Sequence, residues 1–144
     1  VRFRAREGGL MPVDFQPLPH AFPFRFADGV VERTGPAEGR VRATMTANAA
    51  AVRGTGFPAA ALAELVAQSA LLLQGGDAAL GRKGFLAGIS DFSVQRLPVP
   101  GDVLTVDVAI AGRLGETVKF EGVVTDGEGG AVARGAVTVK QGLA

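Results

Sequence analysis

The sequence predicts an α+β fold in which a curled antiparallel sheet wraps one long helix, and three observations lead there. The stretch Phe57 to Gln74, FPAAALAELVAQSALLLQ, is apolar on nearly every side, and a helix of that kind belongs in an interior. The segments around it alternate apolar and polar residues, the period of half-buried strands. The last three such segments are joined by the short glycine-rich stretches GRLGE and DGEGG, which favour antiparallel neighbours. A chain of 144 residues holds one domain with a real core and is short for two.

Residues 1 to 10, VRFRAREGGL, are expected to form a flexible leader, with the domain over residues 11 to 144. From Met11 to Pro23 the prolines at 12, 17, 19 and 23 exclude a long helix, because each lacks a donor and restricts its predecessor. A short turn or extended segment held by Phe15, Leu18 and Phe22 is expected. Val30 to Thr34 then leads through GPAEG into a strand from Arg40 to Asn48. There Val41, Ala43, Met45 and Ala47 face one way and Arg42, Thr44, Thr46 and Asn48 the other, so a hairpin buries one face. Ala49 to Gly56 reads as a loop, and Pro58 suits a first helical turn. The helix runs to about Gln74 and stops at Gly75-Gly76, where left-handed geometry is cheap. Asp77 to Lys83 reads as a connector. Strands follow at Gly84 to Ser93, Val103 to Ile110, Thr117 to Asp126 and Ala131 to Lys140, the last three as a meander. A nearly all-apolar helix needs the apolar face of a sheet to cover it.

Composition narrows the function. Charged residues make up 20% of the chain and the formal net charge is +1, which gives no electrostatic footprint for nucleic acid or an acidic membrane surface. With no cysteine, disulfides, thiolate nucleophiles and thiolate metal sites are excluded. The single histidine, His20, excludes a multi-histidine metal centre within one chain. No cofactor is expected. The apolar stretch from Phe57 to Leu73 is interrupted by Glu64, Gln68 and Ser69 and falls short of a membrane span. A cytoplasmic home is expected.

Within the greasy helix Glu64 and Gln68 stand out. Four residues apart, they share one face, and a carboxylate is rarely buried without a partner or a task. Glu64 is either a general acid or base, a hydrolytic carboxylate, or a structural group held by backbone N–H groups or by Gln68. Gln68 is either a satisfied core amide or a ligand contact. Gly54 and Gly56 lack the Lys-Ser/Thr that a phosphate loop needs.

Four stretches, in order, resemble the β-hydroxyacyl-[acyl carrier protein] dehydratases, thioester dehydratases of the hotdog superfamily. Leu18-Pro19-His20-Ala21-Phe22-Pro23-Phe24 with Asp28 is similar to that family's LPHRxPFLLxD opening. Phe57-Pro58-Ala59 with Glu64-Leu65-Val66-Ala67-Gln68 is similar to its MPGVLxxEAMAQ helix. Gly84-Phe85-Leu86-Ala87-Gly88 and Pro98-Val99-Pro100-Gly101-Asp102 are similar to its FAGI and PVxPGD segments. The likeness extends from about Leu18 to Lys140.

This resemblance implies a single hotdog domain that dimerises, with sites at the subunit interface for thioesters of acyl carrier protein or coenzyme A. It implies a histidine, in a Gly-His-Phe-Pro loop before the helix, that removes the proton α to the thioester. It also implies a helix carboxylate from the other protomer that handles the departing hydroxyl, and a backbone N–H at the helix start that holds the thioester oxygen. Glu64 matches the carboxylate and Gln68 the glutamine one turn on. Ala59 stands where the family has glycine; its N–H survives, with an added methyl. Thr55 and Phe57, beside the helix start, complete the expected acyl-thioester contacts.

The catalytic histidine has no counterpart: counting back from Glu64 lands in Ala49-Ala50-Ala51, and the loop to Gly56 offers only Arg53 and Thr55. His20 matches the structural histidine of the opening motif. Three readings follow. One is a dehydratase-like subunit of fatty acid or polyketide-type synthesis, as a homodimer or paired with a histidine-bearing hotdog partner. The second is a thioesterase using Glu64, and the third a non-catalytic acyl-binding module. Arg25, Arg82 and Arg96 are either contacts for an acidic carrier or ordinary surface charge.

Overall fold

The chain is described by a computed structural model that covers residues 26–46, 58–74 and 82–143. Calls on Val1 to Arg25, on the loop before the helix and on the Gly75-Gly76 stop lie outside these residues. Among the described residues the elements are β1 (Gly29–Gly35), β2 (Glu38–Thr44), α1 (Ala59–Leu73), β3 (Arg82–Val94), β4 (Val103–Leu114), β5 (Thr117–Thr125) and β6 (Ala131–Leu143). The strands form a six-stranded sheet in the order β1-β2-β4-β5-β6-β3, and each described pairing is antiparallel.

The helix and the sheet's inner face need one another. Leu62, Leu65, Val66 and Leu72 of α1 are fully buried, and α1 touches all six strands. Full burial of such a side chain stabilises the fold by about 1.5–3 kcal/mol, so packing dominates a helix that has no side-chain N-cap. The strand residues facing it are those the alternation selects: Val41 and Ala43 on β2, with Met45 just beyond it, and Leu104, Val106 and Val108 on β4. On β5 and β6 they are Val118, Phe120, Val124 and Val137. Beneath Val66 the sheet has Gly122, and a methyl group there would lie 2.5 Å from Val66 Cγ1.

The C-terminus of α1 is held from a distance. Arg33 of β1 donates to the carbonyls of Leu73 at 2.6 Å and Leu72 at 3.3 Å. A cation there satisfies last-turn acceptors and complements the negative end of the helix dipole.

Strand ends differ from the alternation-based limits. The expected connector to Lys83 gives way two residues early, at Arg82, because β3 pairs with β6 there, Arg82 opposite Leu143. The expected GRLGE turn is largely strand: β4 continues to Leu114 past a bulge between Ile110 and Gly112. Gly115 (φ 59°) and Glu116 alone make the turn. Leu114 is 85% exposed, so backbone pairing rather than burial continues these strands, and burial is what alternation reports. β2 starts two residues early at Glu38 and its regular pairing ends at Thr44. The chain beyond is held by Met45 N–H to Asp102 O at 2.8 Å and Gly101 N–H to Met45 O at 2.7 Å.

Candidate functional site

Glu64 and Gln68 share one face of α1, as their spacing demands. Gln68 is 1% exposed, and Glu64, one turn earlier, is half-buried. The Gln68 side-chain oxygen accepts the N–H of Phe26 at 2.8 Å and of Ala27 at 3.2 Å, on the segment entering β1. Its amide nitrogen donates to Glu64 Oε1 at 3.4 Å. Gln68 thus has a protein hydrogen-bond partner on each arm of its amide. Ser69, its neighbour, donates to Leu65 O at 2.7 Å and faces back into the helix.

The start of α1 has a different character. Pro58 is extended (φ −69°, ψ 151°) and gives no side-chain cap, no acidic residue occupies the first turn, and Ala59 is exposed. First-turn N–H groups lack intrahelical acceptors and carry the positive end of the helix dipole. Among the described residues Ala61 N–H donates to Pro58 O at 3.0 Å; a carboxylate near a helix start can move a proton or activate water, and first-turn N–H groups can stabilise developing negative charge on an oxygen. Thr55 and Phe57, with Arg53, Arg25 and His20, lie outside the described residues, as does the side chain of Arg82.

The PVPGD segment has a structural task. Asp102 accepts Val99 N–H at 2.9 Å and Arg96 at 2.8 Å, and Arg96 also bridges Asp126 at 3.2 Å. The Arg96 hydrogen bond foremost, then the Val99 N–H, hold Asp102 below the usual carboxylate range despite an opposing effect of burial. Asp126 is lowered too, first by the N–H groups of Gly130 and Glu128 and then by Arg96. Arg96, considered above as a carrier contact, braces the β3–β4 connection against the β5–β6 turn.

A polar pair that the sequence reading missed sits on the sheet's other face. Arg40 and Asp107 are directly opposite across β2 and β4 and 2.7 Å apart, with Asp107 5% exposed. A hollow of about 330 Å³ on that same face is lined by Asp91, Lys119, Glu121, Arg134 and Ala136; it does not include Glu64 or Gln68. Among the described residues no cluster of three His, Cys, Asp or Glu could hold a metal. No described helix is long and apolar enough to cross a membrane.

The architecture has solved counterparts. Over 87% of this chain and 88% of the other, it matches the dehydratase heterocomplex ApeI:P from Xenorhabdus doucetiae, with a TM-score of 0.72 and 18% identity. The fold is a hotdog. The smu.793 protein of Streptococcus mutans UA159, solved bound to acetyl CoA, matches with a TM-score of 0.65 and 16% identity, over 88% of this chain and 96% of that one. A hypothetical thioesterase of Streptococcus pneumoniae TIGR4, solved with coenzyme A, gives 0.55 and 20% identity over 78% and 85%. No protein-family model matches the sequence, and no curated protein does. Hotdog structures of this kind thus include both a dehydratase heterocomplex and hypothetical thioesterases.

Proposed function

We propose that this hotdog protein binds acyl thioesters, of acyl carrier protein or coenzyme A, beside the start of α1, with Glu64 as its reactive carboxylate. The observation that carries the reading is the half-buried Glu64 in an otherwise apolar central helix, one turn beyond an uncapped helix start. The proposed role is that of a dehydratase-like subunit in fatty acid or polyketide-type synthesis. Removing an α-proton needs a base titrating near neutrality, and the chain's one histidine is His20, in the motif assigned a structural part. A histidine-bearing hotdog partner would supply that base, and Glu64 would complete the shared site. The likeness to a dehydratase heterocomplex favours such pairing. So does β3, whose outer edge has no partner strand among the described residues and whose Ile89 is 51% exposed.

Hydrolysis is the second reading, favoured by the thioesterases among the similar structures. Glu64 would activate water or attack directly, with the first-turn N–H groups as the oxyanion site.

One set of assays separates these. Dehydration of a 3-hydroxyacyl thioester is expected only when a histidine-bearing hotdog partner is added, and is expected to fall by about a hundredfold or more in Glu64→Gln. Dehydration by the purified chain alone would overturn the need for a partner. Hydrolysis of acyl-CoA by the chain alone, abolished in Glu64→Gln, would establish the second reading instead. Binding without turnover under every condition would leave an acyl-binding module and remove both catalytic readings.

A further inference from the structure

We propose that the outer face of the sheet holds a second ligand site, a hollow suited to a small α-amino acid in its zwitterionic form. The hollow of about 330 Å³ is ringed by Asp91, Lys119, Glu121 and Arg134, and strand register explains the arrangement. Ala136 of β6 lies opposite Glu121 of β5 on one side and Ser90 of β3 on the other. Arg134 precedes Ala136 by two residues and Lys119 precedes Glu121 by two, so both stand on this same face. Ala136 is 5% exposed and forms the floor, since its methyl group leaves the space that longer neighbours surround. Asp91 comes from a bulge. Between the pairs Ser90–Ala136 and Ser93–Arg134, β3 has Asp91 and Phe92 where β6 has Gly135 alone, a two-against-one step of the kind that re-aims side chains. Phe92 packs against the core and Asp91 lines the hollow. A Cβ at Gly135 would lie 2.5 Å from Phe92 Cα, so the bulge is seated directly against β6.

Chemistry selects the ligand. The formal charges around the hollow cancel, two carboxylates against a lysine and an arginine, which suits a ligand of no net charge. Among the described residues no hydrogen bond or ion pair engages any of these four side chains. Arg40 and Asp107 on the same face, by contrast, are 2.7 Å apart. Donors and acceptors of both signs are thus open around one space. Asp91 and Glu121 approach from opposite sides of β6 and can accept the N–H donors of an ammonium group. The planar fork of Arg134, with Lys119, matches a carboxylate. Asp91 has a φ of 51°, a left-handed conformation that glycine takes at no steric cost, so the backbone itself does not call for a carboxylate there. The site does not include Glu64 and does not depend on the thioester reading.

NMR titration of the full chain tests this, with L-alanine as the probe. The Ala136 methyl signal and the backbone amide signals of Gly122 and Gly135 are expected to shift and to saturate, with a dissociation constant in the millimolar range because the contacts are open to solvent. N,N,N-Trimethyl-L-alanine keeps both charges but has no N–H donor, and is expected to bind about tenfold more weakly or worse. Acetate and methylammonium, each one half of the zwitterion, are expected to produce no saturable shift. Shifts with L-alanine that never saturate would overturn the proposal. So would full reproduction of them by acetate, which would show a simple anion site, or by the trimethylated probe. Asp91→Asn and Arg134→Gln are each expected to weaken L-alanine binding by about tenfold or more, and unchanged affinity in either would overturn the site. Thermal unfolding of Asp91→Asn should have a midpoint no lower than that of the wild type. A clear drop would instead assign Asp91 a structural task and count against the proposal.

Discussion

At Asp107 two influences oppose each other. Burial raises its carboxyl above the usual range more strongly than the hydrogen bond from Arg40 lowers it, and the nearby Glu32 charge adds to the rise. The folded protein therefore keeps this proton to a higher pH than the unfolded chain does. Between the unfolded carboxylate value, about 3.9, and the raised folded value, the native state binds more protons, so the contribution of Asp107 to stability falls as pH rises. Urea unfolding across that window should show stability declining with pH more steeply in wild type than in Asp107→Asn; equal slopes would contradict it. At this scale the sequence was partly legible. The spacing of Glu64 and Gln68 predicted their shared face, because helical geometry is local. The partners of Gln68 were not legible, since Phe26 and Ala27 lie 42 and 41 residues away and contribute backbone N–H groups that no residue type advertises. Arg40 and Asp107 looked like ordinary strand charges until register set them side by side.

Helix and sheet leave no room for a side chain where Val66 crosses Gly122. Gly122→Ala introduces a methyl group 2.5 Å from Val66 Cγ1, an overpacking expected to cost about 1–3 kcal/mol. Adding Val66→Ala should return part of that stability, so the double variant should be more stable than the summed single effects predict. Strict additivity in chemical denaturation would show that the two positions do not compete for the same space. The existence of each strand was legible because one face is buried along the helix. Ends were not: past the helix, as at Leu114, both faces meet solvent and pairing alone continues the strand. The PVPGD segment shows another limit. As a motif it marked a resemblance, but its job, a bracket of Arg96, Asp102 and Asp126, became clear only when β3, β4 and the β5–β6 turn were placed together.

For the molecule as a whole, the order of strands could not be read from the sequence. Hairpins are local, whereas β3 leaves the helix and joins the far edge beside β6, a non-local pairing with no turn to announce it. That placement leaves a 13-residue strand whose outer edge is unpaired among the described residues, a template for another chain. Assembly through β3 is expected, and light scattering should find Ile89→Lys shifted toward monomer; an unchanged mass would place the interface elsewhere. The attachments of α1 bear on motion within the chain. Arg33 grips its last turn and residues 26 and 27 grip its middle, both from the β1 margin. On the opposite margin β3 presents Leu86, Phe92 and Val94 to the core, and such apolar contacts resist separation but permit sliding. The helix is hung like a door, with its post at β1 and its free side at β3. A small swing about that post would loosen the contacts of Leu86, Phe92 and Val94 without breaking the bonds from Arg33, Phe26 or Ala27. Hydrogen exchange should therefore report faster opening along β3 than along β1.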